Sequence, residues 1–114
     1  MCQAYEAERS FIVHSENIAT VKGFVAARRG EPKKSNPYHE FEKYSREAWD
    51  HGWRCWNSNP PVLPWALEQQ LPSGERTKAR LCFEKTRELP EVLLQEVESW
   101  DQVAVADAFL EKRQ

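Results

Sequence analysis

Apolar positions recur three and four residues apart along most of this chain, the spacing of one face of an α-helix. Ala4, Tyr5, Phe11, Ile12, Ile18, Ala19, Val25 and Ala26 follow that spacing and predict helix over residues 3–29, with a break near His14 and Ser15. Ser15 suits the cap of a second helical piece, with Glu16 favourable in its first turn. Gly30 suits the left-handed residue that ends a helix, and Pro32 follows it two residues on. Arg28 and Arg29 complement the negative end of that helix.

Residues 31–36 form a short polar loop that carries Lys33 and Lys34. Asn36 as cap and Pro37 as first helical residue make a normal helix start, so the next helix is expected from Pro37 or Glu40 to Trp56. Two apolar stripes run along it. Phe41, Tyr44, Ala48, His51 and Cys55 make one; Trp49, Trp53 and Trp56 make the other. Together they predict a helix buried on more than one side. Gly52 sits among the tryptophans at a cost of about 1 kcal/mol relative to alanine in a helix. That cost implies a second backbone close to Gly52, and large rings beside a missing side chain suggest a tight helix–helix joint.

Beyond Trp56, Asn57–Pro64 holds three prolines and reads as a stiff, extended connector. Trp65–Gln70 makes one or two helical turns, stopped by Leu71-Pro72-Ser73-Gly74. Residues 75–88 fit either a helix or a short strand; helix is favoured because nothing else pairs with a strand. Pro90 then opens a last helix to about Glu111, with Leu93, Val97, Trp100, Ala104 and Asp107 on one face. The expected fold is all-α: a small helical domain on an antiparallel helix pair, Gly23 or Ala27 facing Gly52, with additional C-terminal helices packed against it. The expected organisation is a helical module at 1–58, a Pro-rich connector at 59–73 and a C-terminal helical segment at 74–114.

Composition sharpens this picture. Of 114 residues 40% are hydrophobic, enough for a core, and the net charge of −2 gives no long-range attraction to nucleic acid. The charge is unevenly spread. Residues 22–56 hold eight Lys/Arg against five Asp/Glu; residues 84–114 hold four against eight. Three widely spaced cysteines, Cys2, Cys55 and Cys82, argue against a disulfide framework and for a reducing, cytoplasmic setting. No membrane span or secretion signal is expected.

The ordered set Gly23-Phe24-Val25-Ala26, Gly30, Asn36-Pro37-Tyr38 and Trp49-Asp50-His51-Gly52-Trp53-Arg54 is similar to the ribosome modulation factor family. The resemblance spans residues 20–56, about a third of the chain. It runs without a gap from Gly23 to Tyr38, and this chain is then about two residues longer before Trp49. The flanks have no counterpart in the short family members. The resemblance implies a non-enzymatic regulator of translation that binds ribosomal RNA of the small subunit. Chains with this pattern also resemble phage accessory proteins, which implies the alternative of an inhibitor that binds a host protein or defence complex.

Candidate site residues follow. Arg28, Arg29, Lys33, Lys34, Lys43, Arg46 and Arg54 are candidates for phosphate contacts; the competing reading is a solvated surface paired in part to Glu40, Glu42 and Glu47. The tryptophans are expected to pack in the core rather than stack on bases, with Trp56 the most exposed, and Tyr38 is expected to pack on the loop. His51 and Cys55 stand one helical turn apart, but a zinc site needs three or four converging ligands, and none is spaced to join them. No nucleophile, phosphate loop or paired-acid signature marks an enzyme, and no cofactor is implied. The expected partners are ribosomal RNA or a host protein complex, or a second copy of the chain.

Overall fold

The computed structural model describes the backbone of residues 16–113 and the side chains of residues 16–102. The expectations for residues 3–15, including the break at His14, lie outside the described residues. The described chain is all helical: α1 (16–28), a 3-10 turn at Lys33–Ser35, α2 (Lys43–Asn57), α3 (Trp65–Glu68), α4 (Ser73–Thr86) and α5 (Glu91–Arg113). The helical alternative for residues 75–88 is the one adopted, and the helical turns expected at Trp65 and the last helix expected after Pro90 are present.

α1 ends as its sequence requires. Gly30 takes a left-handed φ of 84°. Its N–H donates to the Ala27 carbonyl at 2.9 Å, and the Glu31 N–H donates to the Ala26 carbonyl at 3.0 Å. This pair of bonds is a Schellman closure, which satisfies carbonyls that a helix end leaves open.

α1 and α2 form the close joint that Gly52 foretold. A Cβ on Gly52 would overlap the Thr20 carbonyl oxygen and come within 2.9 Å of the Phe24 nitrogen. A Cβ on Gly23 would overlap the Trp49 carbonyl oxygen. Thr20 and Gly23 thus meet Gly52 and Trp49 in reverse order, so the two helices run antiparallel. The expectation from sequence is Gly23 or Ala27 facing Gly52; instead Thr20 and Phe24 lie against Gly52 and Trp49 against Gly23, so each glycine receives the other helix's carbonyl one turn away. The reason is steric: two opposed glycines would leave a gap, whereas staggered ones each admit a ridge of backbone.

The start of α2 also differs from expectation. The Tyr38 N–H does donate to Asn36 Oδ1 at 3.0 Å, as a cap would require. No helix grows from it, because Asn36 Nδ2 donates to the Arg46 carbonyl at 2.9 Å and to Asp50 Oδ1 at 3.0 Å. Those bonds fold the loop back on α2, and the helix begins only at Lys43. By the Gly23–Trp49 register the last residue of α1, Arg28, lies level with Tyr44, at the edge of the paired stretch, and Phe41 precedes it. Phe41 (91% exposed) and Tyr44 (65%) are uncovered, and His51 is exposed too. The expected first stripe is buried only at Cys55 and partly at Ala48.

The core has two parts. The larger joins Val21, Phe24 and Val25 of α1, Cys55 of α2, Leu63, Ala66, Leu67 and Leu71, Ala79 and Phe83 of α4, and Leu93 and Val97 of α5. Trp56 packs against it, edge-on to Phe24 at 5.4 Å. The smaller sets Trp49 against Ala19 and Ala26, with Tyr38, Ala48 and Trp53 at its edge. The tryptophans are core, as expected, with Trp49 buried and Trp53 and Trp56 partly so. The C-terminal helices do pack on the pair, and residues of the Pro-rich stretch enter the same core.

Two arginines tie the later helices down. Arg76 donates to the carbonyls of Leu71 and Gln69, both at 2.9 Å, bracing the turn between α3 and α4. Arg87, left-handed at φ 57°, ends α4 and donates to the carbonyls of Trp56 and Ser58 at 3.2 and 3.3 Å, closing the end of α2.

Candidate nucleic-acid interface

The loop between α1 and α2 is a clasp with an inner, at most half-buried side and an exposed side. Its inner side is held by Asn36, by Arg46 Nη1 donating to the Tyr38 carbonyl at 2.7 Å, and by the Trp53 indole N–H donating to the Glu31 carbonyl at 2.7 Å. Tyr38 packs against the smaller core, as expected; burial and the nearby Glu42 carboxylate push its hydroxyl above the usual tyrosine range. Gly23, Gly30, Asn36, Tyr38, Trp49, Gly52 and Trp53, seven of the residues that carry the resemblance, thus hold this joint together, and Pro37 lies exposed beside Asn36.

The exposed side presents Lys33 and Lys34 on the 3-10 turn and Lys43 at the start of α2. It also presents an aromatic group: His39 stacks on Phe41 at 4.8 Å, and Tyr44 follows in the first turn of α2. Of these site candidates, Phe41 and Tyr44 were expected on a buried stripe. The signal that separates them is their setting. Glu40 and Glu42 flank Phe41, and Lys43 precedes Tyr44, so neither sits in an apolar run.

The expected basic group does not act as one patch. Lys33, Lys34 and Lys43 are free of ion pairs among the described residues, as are Arg46 and Arg54. Arg46 is engaged with Tyr38, and Arg54 lies at the far end of α2. On that helix Lys43, Glu47, Asp50 and Arg54 share one side by helical spacing, so their charges alternate. Arg28 and Arg29 are paired, but not with Glu40, Glu42 or Glu47. Arg28 meets Asp101 at 3.0 Å, and Arg29 meets Glu31 at 2.7 Å and Asp101 at 3.7 Å.

Other chemistry is sparse. Cys55 Sγ lies 3.6 Å from His51 Nε2, and burial pushes the thiol up to about 11, against a smaller opposing effect of Arg54. A thiol held protonated is a poor nucleophile and a poor metal ligand. Among the described residues no three His, Cys, Asp or Glu side chains gather to hold a metal. A groove of about 320 Å³ lies between α4 and the start of α5, lined by Leu71, Ala79, Cys82, Leu89 and Pro90 among others. No described helix is long and apolar enough to cross a membrane.

No family model, characterised protein or solved structure matches this chain.

Proposed function

We propose that this chain is a non-enzymatic, cytoplasmic regulator that binds ribosomal RNA stoichiometrically through the exposed side of the clasp. The observation that carries the reading is the exposure of Phe41 and Tyr44 on the same short clasp as Lys33, Lys34 and Lys43. Aromatic faces take unpaired bases by stacking, and lysines take the phosphates between them. The resemblance to ribosome modulation factor supports the same partner. Binding to ribosomes or to ribosomal RNA is expected at low salt and weakens steeply as salt rises. Lys33→Glu with Lys34→Glu should reduce it. Full affinity in that double variant, or no affinity at low salt in the unaltered protein, defeats the reading.

A second reading has its own observation. Val62 (44% exposed), Trp65 (61%), Leu81 (52%) and Val92 (61%) lie outside the clasp and suit contacts with a protein. In that reading the chain is a phage-type inhibitor of a host protein or defence complex. A pull-down from nuclease-treated lysate separates the two: partners retained favour protein binding, partners lost favour RNA. Light scattering tests whether copies of the chain associate.

A further inference from the structure

α5 carries a carboxylate onto the end of α1. Asp101 Oδ2 accepts from Arg28 Nη1 at 3.0 Å, and its Oδ1 lies 3.7 Å from Arg29 Nη1. That second oxygen is shut off from water and accepts no hydrogen bond among the described residues. One residue earlier, the Trp100 ring stands 6.0 Å from the Lys22 ammonium, also on α1. Lys22 and Arg28 of α1, with Arg29 just past its end, thus face two consecutive residues of α5.

Arg28 and Arg29 precede Lys33 and Lys34 by only a few residues, around a tight helix end. In sequence, free arginines would extend the run of cations that Lys33 and Lys34 carry. We infer that Arg28 and Arg29 form a second phosphate-binding element of the RNA surface, and that Asp101 occupies it as an internal stand-in for phosphate. Arg29 is also held by Glu31 at 2.7 Å, so Arg28 is the side chain that, among the described residues, Asp101 alone restrains. This rests on the RNA reading above. A guanidinium binds carboxylate and phosphate oxygens with the same fork of N–H donors, so one can replace the other without rebuilding the site.

The contact is part-buried, and its three side chains keep 21–28% of their surface exposed, so an incoming phosphate can reach it from solvent. The unbonded Asp101 oxygen counts against the closed form. An RNA strand offers several phosphates at once and can engage both guanidiniums. Leu93 and Val97 are fully buried, so release concerns α5 from Trp100 onward.

The test uses the full chain with Asp101→Asn, and with Asp101→Ser in case the first does not fold. Two readouts are taken. Phenylglyoxal labelling of individual arginines, read by peptide mass spectrometry, reports whether Arg28 and Arg29 are held. Titration with a short, mixed-sequence single-stranded RNA over a salt series reports phosphate contacts. Each added contact to a single strand steepens log affinity against log salt by about 0.7, so freeing Arg28 adds about 0.7. Several-fold faster labelling of Arg28, with Arg29 still held by Glu31, and tighter RNA binding on that steeper slope are the expected result. Unchanged labelling of Arg28, or an unchanged slope in a variant that binds RNA, overturns the inference. If no form binds the RNA, the proposed function falls, and the labelling alone judges whether Asp101 holds Arg28.

Discussion

The backbone of Gly52 lies directly on the Thr20 carbonyl, and nothing larger than a hydrogen fits between them. Gly23 meets Trp49 in the same way. Backbone cannot give way as a flexible side chain can. Gly52→Ala and Gly23→Ala should therefore each cost more than about 3 kcal/mol, at or above the usual range for overpacking. Urea unfolding measures this. Gly74→Ala, with no atom within 4 Å of the new Cβ, is the control and should be neutral or slightly stabilising.

Gly30 poses a different constraint. Open space surrounds it, but its φ of 84° disfavours any side chain. Gly30→Ala should cost about 1–2 kcal/mol through backbone strain alone. A loss as large as that of Gly52→Ala would contradict this account.

Asn36 holds the clasp through three hydrogen bonds, one accepted and two donated. Asn36→Ala removes them all and should cost about 1–3 kcal/mol. Asn36→Asp keeps the acceptor for the Tyr38 N–H but loses both donations and sets a second carboxylate beside Asp50. It should therefore be no better than alanine. A substitution that leaves the melting temperature unchanged would deny the clasp its anchor.

Phe41 and Tyr44 make little of the core, so Phe41→Ala with Tyr44→Ala should leave stability within about 0.5 kcal/mol. RNA affinity should fall in the same variant, by about 1–3 kcal/mol for each base that stacks. Loss of stability with unaltered RNA binding would show that these rings serve the fold.

The two described cysteines should differ in reactivity. Cys82 is exposed, whereas Cys55 is 4% exposed and its thiol stays protonated to about 11. Alkylation at pH 8, mapped by peptide, should mark Cys82 well before Cys55. The folded thiol titrates above the ordinary 9.0, so between pH 9 and about 11 the unfolded chain loses this proton first. Its stabilising contribution is complete below pH 9 and is lost as pH rises toward 11. Cys55→Ser should lack that alkaline loss.

Sequence by itself determined the elements and the joint. Helical periodicity, Gly30 and Pro90 set where helices end or begin, and an internal glycine among tryptophans announced a close backbone. These signals are local or steric, carried by a few residues whose chemistry leaves little choice. Tertiary structure alone decided the rest. Asn36 carries a cap's signature, yet the partners for its other donors lie ten and fourteen residues away on α2. Phe41 and Tyr44 fit a buried stripe by spacing, but they lie at and beyond the edge of the α1–α2 contact and stay exposed. Arg28 and Arg29 were legible as basic residues; that they face Asp101, seventy-three residues beyond Arg28, was not. Periodicity reports which side of a helix is apolar. Which neighbour covers that side, and which charge meets which, depends on how the helices come together.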